Sequence, residues 1–166
     1  MKSKPESHVT LRYPESVPQL LMSLLIVASL SAAGSWASST NRSAECLALA
    51  MYWEARGEGT LGMQAVGSVV LNRVQHRNFP DTVCAVVFQG GEAPPCQFSW
   101  WCDGKSDRPR DTRQWRHAVH TAERLLTRRY SDPTRGALYF HSTTVNSSWH
   151  RRQHATVRIG GHRFYR

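Results

Sequence analysis

The sequence predicts an α+β fold, mainly helical, with a small β-hairpin or sheet at its C-terminal end. Three observations carry that expectation. Apolar residues recur at helical spacing in separate stretches between residues 44 and 126. Only after residue 137 does the pattern turn β-like, and there a Gly160-Gly161 step divides two short strand-like runs, which is a hairpin signal. The 166-residue length allows one ordinary domain and argues against two sizeable ones.

Taken in order, the first helix is predicted from Ala44 to about Arg56, with Ser43 as its N-cap. Leu47, Ala50, Met51 and Glu54 fall at the i, i+3, i+4, i+7 spacing of one face, and Gly57 and Gly59 stop it. A second helix begins at Thr60 with Met63, Val66, Val70 and Val74 on its buried side. Asn78-Phe79-Pro80-Asp81 reads as a turn whose Asp81 caps a shorter helix through Val83, Val86 and Val87. From Gln89 to Thr112 the chain is rich in Gly, Pro, Cys, Asp and Ser and reads as a long loop, and loops of that length in compact domains are functional or disordered. Trp115, Ala118, Val119, Ala122, Leu125 and Leu126 mark the clearest amphipathic helix, ended by Asp132-Pro133. Strands are predicted at 137–140, 156–159 and 162–165. No internal repeat or low-complexity segment interrupts this order.

Composition narrows the function classes. A hydrophobic fraction of 40% with six Trp excludes a disordered chain. The formal net charge of +9 points to an anionic partner such as nucleic acid, a membrane surface or an acidic polymer. The uncharged apolar run 20–33 is short for a bilayer span, which takes ~20 apolar residues. Basic residues precede it and Ser35-Trp36-Ala37 follows with small residues at −3 and −1, so residues 1–37 read as a secretory signal peptide cleaved after Ala37. An uncleaved anchor is the alternative, and it is the only route to a membrane partner. Residues 38–43 then form a short tether before a domain spanning 44–166. Lys2, Lys4 and Arg12 stand against Glu6 and Glu15 in the leader, so the basicity belongs to the remainder.

The four cysteines, Cys46, Cys84, Cys96 and Cys102, all lie in the exported part. Four cysteines allow three pairings, and sequence alone does not choose. Cys96–Cys102 would pin a short loop and leave Cys46–Cys84 to tie two distant segments. The loop-entropy model gives those bridges roughly 2 and roughly 4 kcal/mol. A zinc site is the weaker reading, because no CxxC pair is present and an oxidising compartment competes for the thiols.

Glu54 is the residue that carries chemistry. It lies on the apolar stripe of its helix, near the end and flanked by Met51 and Trp53, surroundings that raise a carboxyl pKa. A raised carboxyl beside an aromatic is what protonating a glycosidic oxygen requires. Arg56 lies two positions on, about 200° around the helix, and need not neutralise it. The bland alternative is a helix-end glutamate making a structural hydrogen bond.

The stretch Cys46-Leu-Ala-Leu-Ala-Met-Tyr-Trp-Glu-Ala-Arg-Gly-Glu58 resembles the opening motif of the cell wall hydrolase family of spore cortex-lytic enzymes and their Gram-negative relatives. Further segments resemble that family in the same order: Gly62-Met-Gln-Ala-Val-Gly-Ser-Val-Val-Leu-Asn-Arg-Val74, Phe79-Pro-Asp-Thr-Val-Cys84, Cys96-Gln-Phe-Ser-Trp-Trp-Cys-Asp-Gly104, Gly136-Ala-Leu-Tyr-Phe-His141 and Ile159-Gly-Gly-His-Arg-Phe-Tyr165. The resemblance implies a lysozyme-like catalytic domain that cleaves the glycan strand of peptidoglycan between N-acetylmuramic acid and N-acetylglucosamine. Cleavage would proceed by lytic transglycosylation or by hydrolysis, with Glu54 as single acid and base. With the leader, a monomer exported to the periplasm or cell envelope is expected, acting without cofactor or metal. The Tyr52-Trp53 pair departs from the family, where His, Phe or Ala precedes the glutamate as often as Trp.

Glu58 and Asp103 are candidates for a second carboxylate if the fold brings them within ~5–10 Å of Glu54. Gln97, Phe98, Ser99 and Trp100 form the candidate sugar-contacting loop, with Phe98 equally well placed as a core plug. Tyr139 and His141 share one face of a strand, directed either to the core or to a groove. His150 and His154 lack the Glu-x-x spacing of a zinc protease helix. A non-catalytic cationic module that holds wall polymers is the competing function. Nucleic-acid binding is set aside, because scattered arginines without a recognised motif read as a solvated face.

Overall fold

Helix α2 (Gly59–Val74) is buried on every side from Gly62 to Val70, although the sequence pattern predicts a single buried stripe. The reason is that two layers cover it. Met63, Val66 and Val70 face one apolar cluster, shared with α1 (residues 40–55), α3 (Val83–Val87) and α4 (Thr112–Leu126). Ala65 and Val69 face a second cluster with Ala137, Ile159 and Phe164 of the sheet side. A helix covered on every side sits in the centre of its domain, here with the small Ala65, Gly67 and Ser68 on the faces that close tightly. Gly67 lets α1 and α4 close on it: a Cβ there would meet Leu125 Cδ1 at 2.5 Å and Met51 Sδ at 2.8 Å. Met51 therefore packs toward this helix crossing. Val74, predicted buried, is only half-buried at the end of the helix.

The computed structural model describes residues 40–127, 131–145 and 152–166. The proposed leader, Arg128, Arg129, His150 and Arg151 lie outside the described residues. Residues 40–43 are already helical, so the predicted tether is helix there and Ser43 lies inside α1 rather than capping it. The cap of α3 is Thr82 rather than Asp81, because Thr82 stands immediately before the first helical residue and its Oγ1 accepts from the Ala85 N–H at 3.3 Å. Asp111 caps α4, accepting from the Arg113 and Gln114 N–H groups at 3.0 Å each, an arrangement that contributes about 1 kcal/mol. The predicted long loop is irregular apart from one 3-10 turn at Ser99–Cys102. Disulfides join Cys46 to Cys84, tying α1 to α3, and Cys96 to Cys102 within the loop.

Strands β1 (Tyr139–Ser142), β2 (Ala155–Ile159) and β3 (His162–Tyr165) form an antiparallel sheet in the order β1-β3-β2. Ile159 pairs with His162 across the two-glycine turn, where Gly160 takes φ 55°. The first strand starts two positions later than predicted because the carbonyls of Ala137 and Leu138 go to α2: Asn72 donates to one at 3.0 Å and Arg73 to the other at 2.8 Å.

Candidate active site

Glu54 lies in the last turn of α1, where the chain leaves the helix for the short link into α2. Its carboxyl is largely removed from water, and no donor among the described residues closes a hydrogen bond on it. Burial raises its pKa from 4.5 to about 7; the positive charge of Arg73 and the nearby indole of Trp100 pull it down by less. The Trp100 indole N–H is itself buried without a hydrogen-bond partner, so it is a neighbour of the carboxyl and not a closed bond to it.

Arg73 is the cation beneath the site. It is 5% exposed, with its guanidinium 5.1 Å from the Phe79 ring centroid, 5.7 Å from Phe98 and 5.9 Å from Tyr139. Its Nε donates to the Leu138 carbonyl at 2.8 Å, while Nη1 is buried without a partner among the described residues. Burial lowers its pKa to about 10, which still leaves it charged at neutral pH. Asn72, next to it, donates to the Asp132 carboxyl at 3.0 Å, and Gln64 donates to the Ser131 carbonyl at 2.9 Å. Hydrogen bonds from Thr134, Asn72 and Gly136 hold the Asp132 carboxyl below its usual range despite the desolvation that pushes it up. These contacts anchor the segment that leads into β1 against α2.

On the other side, Trp53 and Trp100 stack with centroids 6.4 Å apart. Trp53 Nε1 donates to the Asp107 carbonyl at 3.1 Å, and Tyr52 OH accepts from the Arg110 and Asp111 N–H groups at 3.2 and 3.0 Å. The two residues just before Glu54 thus hold the loop at 107–111. Arg56, just past the end of α1, places its guanidinium 5.2 and 5.0 Å from the Tyr52 and Trp53 centroids. Trp53, Arg56, Trp100, Asp103, Lys105, Ser106, Asp107 and Arg110 line a pocket of about 300 Å³.

The other predicted residues separate. Gln97 and Ser99 are exposed on the loop; Phe98 is 2% exposed and packs in the core against Trp100 and Phe140, so the plug reading describes it. Trp100 is buried beside Glu54. Tyr139 reaches the Arg73 box, and His141 Nε2 is 2.8 Å from Tyr165 OH, with the two rings stacked. Glu58 Oε2 accepts from the Gly161 N–H at 2.9 Å. Asp103 is exposed and 3.3 Å from Lys105 Nζ. The surroundings of the Glu54 carboxyl come from Trp100 and Arg73, whereas Met51, predicted to flank it, is buried at the helix crossing. Among the described residues no group of His, Cys, Asp and Glu is placed to hold a metal ion.

Sequence reasoning missed Arg73 as a site residue. The signal was present: Arg73 continues the apolar stripe of Val66 and Val70 at i+7 and i+3, the same test that singles out Glu54.

The family model described as Cell Wall Hydrolase matches residues 57–165, beginning just after Glu54. Similar curated proteins include the spore cortex-lytic enzymes of Halalkalibacterium halodurans, 35% identical over 72% of this chain and 33% of that protein, and of Bacillus subtilis, 35% identical over 75% and 38%. The chain thus spans little more than a third of the length of these relatives. Among solved structures, the catalytic domain of the Bacillus cereus SleB protein aligns with TM-score 0.58 and 30% identity over 75% of this chain and 89% of that one. The catalytic domain of the germination-specific lytic transglycosylase SleB from Bacillus anthracis aligns with TM-score 0.59 and 32% identity over 75% and 93%. The predicted lysozyme-like architecture, mainly helical with a small antiparallel sheet, is the one these domains share. On its sequence and its fold together, the chain belongs to the cell wall hydrolase family.

Proposed function

We propose that the protein cleaves the glycan strand of peptidoglycan between N-acetylmuramic acid and N-acetylglucosamine, with Glu54 as both acid and base. The observation that carries this reading is the Glu54 carboxyl set beside Trp100 and Arg73, where burial pushes its pKa up to about 7. A group so placed is protonated often enough to donate and is basic enough to take the proton back. Glu54 gives its proton to the leaving glycosidic oxygen as the bond breaks. The resulting carboxylate then accepts a proton from the group that attacks the sugar carbon, either the sugar's own 6-hydroxyl or a water molecule. Arg73 stabilises the carboxylate in that interval without pairing so closely as to keep it ionised. A single carboxyl is supported by the engagement of Glu58 with the hairpin and of Asp103 with Lys105. Membership of the family and the basic charge support peptidoglycan as the polymer, and the leader supports action in the periplasm or cell envelope, as a monomer.

The test is digestion of purified peptidoglycan by the protein lacking residues 1–37 and by its Glu54→Gln variant, with mass analysis of the fragments. Anhydro-muramyl ends establish transglycosylation and reducing muramyl ends establish hydrolysis. An active variant would remove Glu54 from the mechanism. Release of no fragments by either protein would leave a cationic wall-binding module.

A further inference from the structure

The pocket beside the tryptophans holds more positive charge than proton transfer at Glu54 uses. Trp100 lines this pocket and also stands beside the Glu54 carboxyl. Arg56 stacks on Tyr52 and Trp53, and among the described residues only its Nη1 has a hydrogen-bond partner, the Tyr52 hydroxyl at 3.4 Å. Arg110 has its backbone N–H on the same hydroxyl at 3.2 Å, and its guanidinium has no partner among the described residues. One buried tyrosine therefore fixes the origin of two arginines. The pocket carries three cations, Arg56, Lys105 and Arg110, against two acids, Asp103 and Asp107, and Asp103 is paired with Lys105. Beyond Arg56 a second hollow, which includes Arg113, continues the basic surface.

We propose that Arg56 and Arg110 form a carboxylate-binding subsite that holds the acidic arm of a muramyl residue and so fixes which glycosidic bond meets Glu54. The proposal rests on the reading of the chain as a peptidoglycan-cleaving enzyme. In an alternating glycan the two linkages differ little at the sugar ring, and only the muramyl unit carries a lactyl arm with a carboxyl or an acidic peptide attached. An anchor for that carboxylate sets the register of the strand. Two planar guanidinium groups, each able to present a fork of donors, suit it.

The experiment measures binding and cleavage separately. Glu54→Gln protein, with and without Arg110→Gln or Arg56→Gln, is titrated with three soluble glycan preparations. One carries peptide stems, one is stripped to free lactyl carboxylates, and one is stripped with those carboxylates capped as neutral methylamides. Thermal unfolding of each variant checks the fold, and Arg110, whose side chain is exposed, is the safer of the two positions. The expected result is binding about three- to tenfold tighter for carboxylate-bearing glycan than for capped glycan, a preference that Arg110→Gln removes without weakening the capped complex. A loss on the stripped glycan assigns the lactyl carboxylate as ligand, and a loss on the stem-bearing glycan alone assigns the peptide carboxylates. Equal affinity for capped and uncapped glycan, or an equal loss on all three, overturns the subsite. If the carboxylate preference holds while the parent protein releases no fragments, the subsite stands and the enzymatic reading fails.

Discussion

Glu54 and Glu58 stand in one short motif and meet opposite environments. Glu58 precedes α2 but does not cap it; its carboxylate accepts from the Gly161 N–H and holds the β2–β3 turn against the helix start. The turn fits closely, since the positions where Gly160 and Gly161 would carry a Cβ are filled by the Glu58 carboxylate. Glu54 has no such backbone partner among the described residues, and desolvation pushes its pKa up to about 7. A hydrogen-bonded carboxylate stabilises a fold, whereas a desolvated one costs stability when it ionises and is retained where chemistry needs it. The two glutamates show the difference within a single motif.

The largest expected effect separates them by activity. Glu54→Gln should lower glycan cleavage by about 10²–10⁴-fold, the usual worth of a general acid, while Glu58→Gln, which keeps an acceptor for Gly161, should retain activity within about tenfold. Equal losses would erase the contrast.

Stability should reverse the order. Because the folded-state pKa of Glu54 is raised, ionisation costs the native state nothing below pH 4.5, an increasing amount as pH rises toward 7, and its full amount above. Glu54→Gln should therefore stabilise the protein by about 3 kcal/mol at pH 8 and not at pH 4, measured from denaturant midpoints. Glu58→Ala should instead cost about 1.5–3 kcal/mol at pH 8. A smaller effect sharpens the hairpin side. Gly160→Ala imposes a left-handed φ of 55° on a side chain that would press on Glu58, and should cost about 1–2 kcal/mol, less in a Glu58→Ala background. The smallest effect is on the pH profile. Arg73→Gln removes the charge that favours ionised Glu54, so the alkaline limb of kcat/KM should move up by about half a pH unit, with Arg73→Lys restoring it.

Much of this was legible in the residues. The helices, the Gly-Gly hairpin and the stripe position of Glu54 follow from spacing alone. What spacing does not give is how many layers cover an element. Helix α2 reads as one-sided because Ala65, Gly67 and Ser68 are small rather than apolar signposts, yet their smallness is what lets a second layer close. The start of β1 shifts for a related reason, since Asn72 and Arg73 take carbonyls that a sequence pattern assigns to a strand. The quarters around Glu54 are likewise long-range. Trp100 and Arg73 reach it from a loop and from another helix, while its sequence neighbours Tyr52 and Arg56 serve the loop wall instead.

The most direct test is a carbon-13 NMR titration of the glutamate side-chain carboxyls, with the Glu54 resonance assigned by its absence in Glu54→Gln. The account predicts a midpoint at about 7, coincident with the alkaline fall of kcat/KM on peptidoglycan, since the acid must be protonated to donate. A Glu54 midpoint near 4.5, with activity unchanged through neutral pH, would contradict it.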